Sequence, residues 1–238
     1  MATFVLVHGA WHGAWCWRRL VPLIAAAGHP VLAPDLPGHG ADPAPAATQG
    51  LADYVARVQE VVAGCDEPVI LVGHSLGGLV VAAVAEAMPE RIRRLVFLTA
   101  FLPRDGDSLV RICSVDPANP MNAASLRTPD GKCVTVDPAR LESLFYADCP
   151  PADVAFAASH VGPEPIAVMF QAVQVTAERF GGVPRAFIRC TRDVVLPLFI
   201  QDQMIAASPC DVVQDLPTGH SPFFAAPERL AQMLLDLP

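Results

Sequence analysis

The chain has 238 residues, a formal net charge of −8, and one lysine, Lys132, among 16 basic residues. That balance excludes the basic face of a nucleic-acid binder and the polybasic patch of a protein held to an anionic membrane. With 53% hydrophobic and 17% charged residues, the chain can bury a core and is not disordered, and its length suits a single domain, 1–238.

The first charged residue is Arg18, so no positive segment precedes an apolar one as in a secretory leader. Residues 68–85 carry no formal charge, but Gly73, His74, Ser75, Gly77 and Gly78 interrupt them. A buried strand and helix are expected there, not a membrane span. The seven cysteines form no CxxC pair and are expected to be reduced, mostly buried thiols of a cytoplasmic protein.

In chain order, residues 3–7 are apolar and β-branched and read as a buried strand. Residues 15–27 read as a helix closed by Gly28, and 30–33 as a second strand ending in a turn-rich run from Asp35 to Gly40. An Ala/Pro-rich loop follows at 41–47. Residues 51–62 place Leu51, Tyr54, Val55, Val58, Val61 and Val62 on one helical face. A third strand is expected at 69–72, a helix at 76–88 stopped by Pro89, and a fourth strand at 94–99. The rhythm breaks over about 103–183, where turn signals precede two expected helices, 152–159 and 165–179. It resumes with a strand at 185–190, a helix at 198–207, a strand at 211–214 and a last helix at 227–235. Such alternation predicts an α/β fold, a six-stranded, mainly parallel sheet with helices on both faces and one long insertion.

Gly73-His74-Ser75-Leu76-Gly77 fits G-x-S-x-G between a predicted strand and a predicted helix. A nucleophile on so tight a turn needs small neighbours, which Gly73, Gly77 and Gly78 provide. The N–H of Leu76 then serves as one oxyanion donor. The second is expected from the loop after the first strand, at Ala10, with Gly9 allowing backbone to approach the substrate.

A serine hydroxyl needs a base. Only His160 and His220 follow Ser75 in the order Ser, acid, His. His220 follows the last strand, whereas His160 lies on or beside a helix of the insertion, so His220 is the candidate. Asp193, after the fifth strand, is the acid expected to orient it; Asp105 and Asp107, after the fourth strand, are the fallback. His8 and His74 adjoin the site. Trp11, Trp15 and Trp17 read as core and pocket wall. Phe145, Phe156, Met169 and Phe170 suit either an apolar substrate pocket or packing of the insertion. No HExxH, Walker A or GxGxxG pattern is present and no carboxylates cluster, so neither cofactor nor metal is expected.

These residues resemble the α/β-hydrolase superfamily, and within it the plant methylesterase and hydroxynitrile lyase group, which has bacterial esterase members. The likeness runs nearly end to end. It is carried by the opening from Phe4 to Trp17, by Ala27-Gly28-His29, by Gly73 to Gly78, by Leu144 to Cys149, by Ile188 to Asp193, and by Gly219-His220-Ser221-Pro222. It implies an α/β-hydrolase fold without the N-terminal β-hairpin of larger relatives, residues 103–183 as a cap, and a Ser75-Asp193-His220 triad with donors at Ala10 and Leu76. It also admits a homodimer.

Lyases of that group place a lysine after the catalytic histidine and a threonine in the oxyanion loop. Ser221 and Gly9 stand at those positions. The expected activity is therefore hydrolysis of a small to medium, largely apolar carboxylic ester. The alternatives are a lactonase or hydroxynitrile lyase on the same triad, or a receptor that only binds a small ligand.

Overall fold

The structure, a computed structural model, describes residues 1–237. The elements are β1 (Phe4–Val7), α1 (Leu20–Ala26), β2 (Val31–Leu32), α2 (Leu51–Ala63), β3 (Val69–His74), α3 (Gly77–Ala87), β4 (Ile92–Leu98), α4 (Leu109–Cys113), α5 (Met121–Ala124), β5 (Ser125–Arg127), β6 (Cys133–Val136), α6 (Pro138–Phe145), α7 (Pro151–Ala158), β7 (Glu164–Pro165), α8 (Ile166–Phe170), β8 (Arg185–Cys190), α9 (Leu198–Ala207), β9 (Val212–Leu216), α10 (Pro222–Ala225) and α11 (Pro227–Leu235). This is the α/β-hydrolase fold. Six parallel strands lie in the order β2-β1-β3-β4-β8-β9. Every residue of β1 and β3 is buried, as a parallel sheet covered on both faces requires. Helix α1 packs with α11 and α2 with α3. Helix α2 turns Leu51, Tyr54, Val58 and Val62 inward at helical spacing.

The chain leaves β1 toward β2 on one side and returns to β3 on the other. The crevice outside the carboxyl ends of β1 and β3 is thus a topological switch point, where open α/β sheets bind ligands. The uncharged run 68–85 resolves into β3, a tight turn and α3. Among the described residues no helix is long and apolar enough to cross a membrane.

The expected helix at 15–27 divides into a 3-10 segment, Ala14–Arg19, and α1. Pro22 has no N–H to donate, which suits the first turn of a helix begun at Leu20 but not the middle of a longer one.

The segment between β4 and β8 differs more from expectation. It holds a three-stranded antiparallel sheet, β5-β6-β7, whose first turn, Pro129-Asp130-Gly131, places Gly131 at φ +70°. It also holds α6, begun by an Asp137 side chain that accepts from the Ala139 N–H, with Pro138 in the first turn. The expected helix 165–179 is a correction: only Ile166–Phe170 is helical. Beyond it the Val173 N–H donates to the Asp107 carbonyl and the Gly106 N–H to that of Val173, both at 2.8 Å. Val175 N–H donates to the Asp105 carboxylate at 3.1 Å. These contacts hold extended a stretch whose β-branched residues, Val173, Val175 and Thr176, favour that conformation over a helix.

Candidate active site

Ser75 stands between β3 and α3 with φ +52°, the left-handed region that a residue with a Cβ enters only under strain. The glycines around it are sterically required. A Cβ on Gly73 would sit 2.7 Å from the Gly77 carbonyl oxygen, and one on Gly77 would sit 2.8 Å from the carbonyl oxygens of Val7 and His8. At Gly78 it would come within 2.3 Å of the Phe101 carbonyl oxygen. Gly9 is equally confined: its Cβ would lie 2.7 Å from that of Ser75. The β1 loop thereby runs directly against the serine. Among the described residues, no backbone carbonyl accepts the N–H of Ala10 or of Leu76.

His220 follows β9 and Asp193 follows β8. Nδ1 of His220 meets Oδ2 of Asp193 at 2.6 Å, and both side chains are buried. Oδ2 also accepts the Thr99 hydroxyl at 2.5 Å, and Oδ1 accepts the N–H groups of Val195 and Leu196 at 2.8 and 2.9 Å. The carboxylate is thus fully oriented, and it holds Nδ1 of His220 as a donor, leaving Nε2 as the lone-pair nitrogen. That buried Nε2 has no hydrogen-bond partner among the described residues. It makes no hydrogen bond to the serine; such catalytic bonds often tighten only in the Michaelis complex.

His74 lies behind this pair. Its ring is 4.8 Å from that of His220, and its Nε2 donates to the His220 carbonyl at 2.8 Å. Burial, reinforced by the nearby His220, pushes its pKa well below the usual histidine value. His74 is therefore a neutral prop for the His220 loop.

The rival candidates are elsewhere. His160 is exposed; its Nδ1 donates to the Phe156 carbonyl at 2.7 Å. The Asp107 carboxylate pairs with Arg104 and Arg111, and that of Asp105 holds the Val175 N–H.

A cavity of about 350 Å³ opens at Ser75. Ala10, Trp11, Phe101, Leu109, Met169 and Val195 are among its walls. Met169 is thus on the cavity wall. Phe145, Phe156 and Phe170 are not among its lining residues. Phe156 stacks on His160, meets Trp15 edge-on at 5.9 Å and carries the Arg18 guanidinium 4.0 Å from its ring centroid. Phe170, the last residue of α8, is 61% exposed. Phe145 supports the site from behind, edge-on to the rings of Trp11 and His220 at 5.7 and 5.3 Å. Phe101, Leu109 and Met121 are wall residues that the sequence reading missed. Their only signal is an apolar character in the turn-rich stretch after β4.

Fold and site together define an α/β hydrolase. The chain belongs to that family: the match to the Alpha/beta hydrolase family covers residues 4–233. It is 32% identical to Methylesterase 1 of Arabidopsis thaliana, over 98% of this chain and 95% of that one. It is 34% identical to Salicylic acid-binding protein 2 of Nicotiana tabacum, over 98% and 96%. The crystal structure of polyneuridine aldehyde esterase superposes with a TM-score of 0.90 at 29% identity, over 99% of this chain and 98% of that one. Within the family the chain falls in the plant methylesterase-like group and is a carboxylic ester hydrolase.

Proposed function

We propose that the chain hydrolyses a small to medium, largely apolar carboxylic ester through an acyl-enzyme on Ser75. His220 Nε2 takes the Ser75 proton as Oγ attacks the ester carbonyl. The N–H groups of Ala10 and Leu76 receive the oxyanion; in other serine hydrolases one such donor contributes roughly 3–4 kcal/mol to the transition state. His220 then protonates the departing alkoxide. A water deprotonated by His220 attacks the acyl carbon, releases the carboxylic acid and restores Ser75. Asp193 keeps the imidazole in the tautomer this needs and stabilises the imidazolium. Residues 103–183 act as the cap, and the mainly apolar wall of the 350 Å³ cavity receives the ester.

The observation that carries this reading is the 2.6 Å contact of His220 with Asp193 beside a serine held at φ +52°. Ser221 supports hydrolysis over cyanohydrin cleavage. It carries a hydroxyl, so no ammonium follows the histidine to receive cyanide. The test is Ser75→Ala, which should fold normally and lose hydrolysis of a short p-nitrophenyl ester. In the parent, a fluorophosphonate should label Ser75. Retained turnover in the variant removes Ser75 as nucleophile.

A further inference from the structure

Trp11, the residue after Ala10, takes φ +64°, a backbone conformation rare for so bulky a side chain. All its polar groups are held by the segment between β4 and β8. Its N–H donates to Oε2 of Glu164 at 3.1 Å, its carbonyl accepts the Gly162 N–H at 2.9 Å, and its indole N–H donates to the Val134 carbonyl at 3.0 Å.

The peptide units beside it are fixed too. The Gly9 carbonyl, which shares a peptide unit with the Ala10 N–H, accepts Nδ1 of His8 at 2.9 Å. The Ala10 carbonyl, which shares one with the Trp11 N–H, accepts Nδ1 of His12 at 2.7 Å. Among the described residues, Glu164 is thus the one acidic side chain bonded to this backbone. Its Oε2 also accepts Nε2 of His39 at 2.9 Å, and its Oε1 accepts the Tyr54 hydroxyl at 3.1 Å. Burial opposes charge on His39, but the hydrogen bond and the charge of Glu164 outweigh it and leave the pKa raised. His39 and Glu164 thus form a buried, hydrogen-bonded pair. Such a buried pair is costly to build and weak as a source of stability, which leaves its position to be explained.

We infer that Glu164 is a positioning residue for the oxyanion hole. By gripping the Trp11 N–H from the inserted segment, it sets the peptide plane that aims the Ala10 N–H at the substrate oxygen. The inference rests on the reading of Ala10 as an oxyanion donor. Glu164 touches no substrate; it acts through Trp11.

The test compares variants per titrated active site, with p-nitrophenyl butyrate as substrate and a trifluoromethyl ketone as tetrahedral-intermediate analogue. Glu164→Met, similar in length but without an acceptor, should lower kcat about tenfold while KM stays within about twofold, and should weaken the analogue by the same factor as kcat/KM. Glu164→Gln keeps an oxygen for the Trp11 N–H and should stay within about threefold of the parent in all three. Tyr54→Phe removes a Glu164 partner remote from Trp11 and should lower the thermal midpoint without lowering kcat. If Glu164→Met does not fold, Glu164→Asp, which keeps the charge but withdraws the oxygens by one methylene, should show the same kcat loss.

Unchanged kcat and analogue affinity in Glu164→Met or Glu164→Asp overturn the inference. So does a loss in Glu164→Gln or Tyr54→Phe as large as that in Glu164→Met. Fluorophosphonate labelling separates the two readings. A parent that is not labelled at Ser75 fails the proposed mechanism, whereas a labelled parent with indifferent Glu164 variants fails this inference alone.

Discussion

Thr99 donates its hydroxyl to Oδ2 of Asp193 at 2.5 Å, on the oxygen that also faces His220. Thr99 pays for this position in backbone strain, since a β-branched residue at φ +38° is a conformational outlier. The strain sits at the carboxyl end of β4, beside the carboxylate it orients. Thr99→Val keeps the shape and removes the donor, so the carboxylate loses one of four bonds. The expected result is a fall in kcat of about tenfold, in line with the roughly 1.5–3 kcal/mol carried by a hydrogen bond to a charged group. Asp193→Asn should cost far more, on the order of 10³–10⁴ in kcat, because an amide can favour the wrong histidine tautomer. Steady-state kinetics on one short ester reads both. A Thr99→Val enzyme as active as its parent would remove the hydroxyl from the orienting set.

Gly9 and Gly28 separate crowding at the site from backbone strain remote from it. A Cβ on Gly9 would lie 2.7 Å from the Ser75 Cβ and 3.0 Å from Nδ1 of His74. Gly9→Ala must therefore push the loop off the serine, and a kcat loss on the order of 10²-fold is expected, the scale of losing one oxyanion donor. Gly28 has φ +86° with nothing within 4 Å of its Cβ position. Gly28→Ala should cost about 1 kcal/mol in urea unfolding from strain alone, with kcat unchanged. Equal kcat losses in the two variants would show that the Gly9 effect is not local.

The sheet and the ends of its strands were legible because each rests on a local signal. The serine turn is marked by glycines that crowding demands, and Asp193 and His220 lie directly after strands whose apolar runs are short and plain. The inserted segment was not legible, since its conformation is set from a distance. Val173 would fit the end of a helix by spacing alone, yet its bonds to residues near 106 draw it straight. Phe170 then faces outward instead of into a pocket. Glu164, between Pro163 and Pro165, carries no local sign of burial. Its burial depends on Trp11, His39 and Tyr54, each more than 100 residues away in the chain.

Met169 should set the size of the ester that fits. It lies on the cavity wall with Ser75, and the cavity measures about 350 Å³. Met169→Trp adds bulk without adding charge and should shift preference toward shorter acyl or alcohol chains. Phe170→Ala, at a side chain 61% exposed, should leave the preference unchanged. A series of p-nitrophenyl esters from acetate to octanoate, compared by kcat/KM, reads the acyl side. An unshifted optimum in Met169→Trp would place the acyl chain elsewhere.

Acid should unfold this protein through its buried neutral histidines. Nδ1 of His12 donates to the Ala10 carbonyl at 2.7 Å, so its Nε2 must accept the Tyr146 hydroxyl, also at 2.7 Å. Burial, against the pull of that carbonyl, lowers the His12 pKa from 6.5 to about 4. Above pH 6.5 His12 is neutral whether folded or unfolded, and it adds no pH dependence. As pH falls from 6.5 to 4 the unfolded chain takes up the proton first, so stability is lost progressively across that window. The full loss from this group is about 3 kcal/mol, at roughly 1.4 kcal/mol per pKa unit. His8 and His74 are also lowered, chiefly by burial, and add to the loss in the same direction. His39 works oppositely. Its raised pKa gives stability that is fully present below 6.5 and is lost as pH rises through the folded value. Urea unfolding at pH 7.5, 6, 5 and 4.5 should show a steep acid decline, and His12→Gln, which can still accept from Tyr146, should flatten it between 6.5 and 4. An unflattened slope in that variant would assign the acid sensitivity to the other histidines.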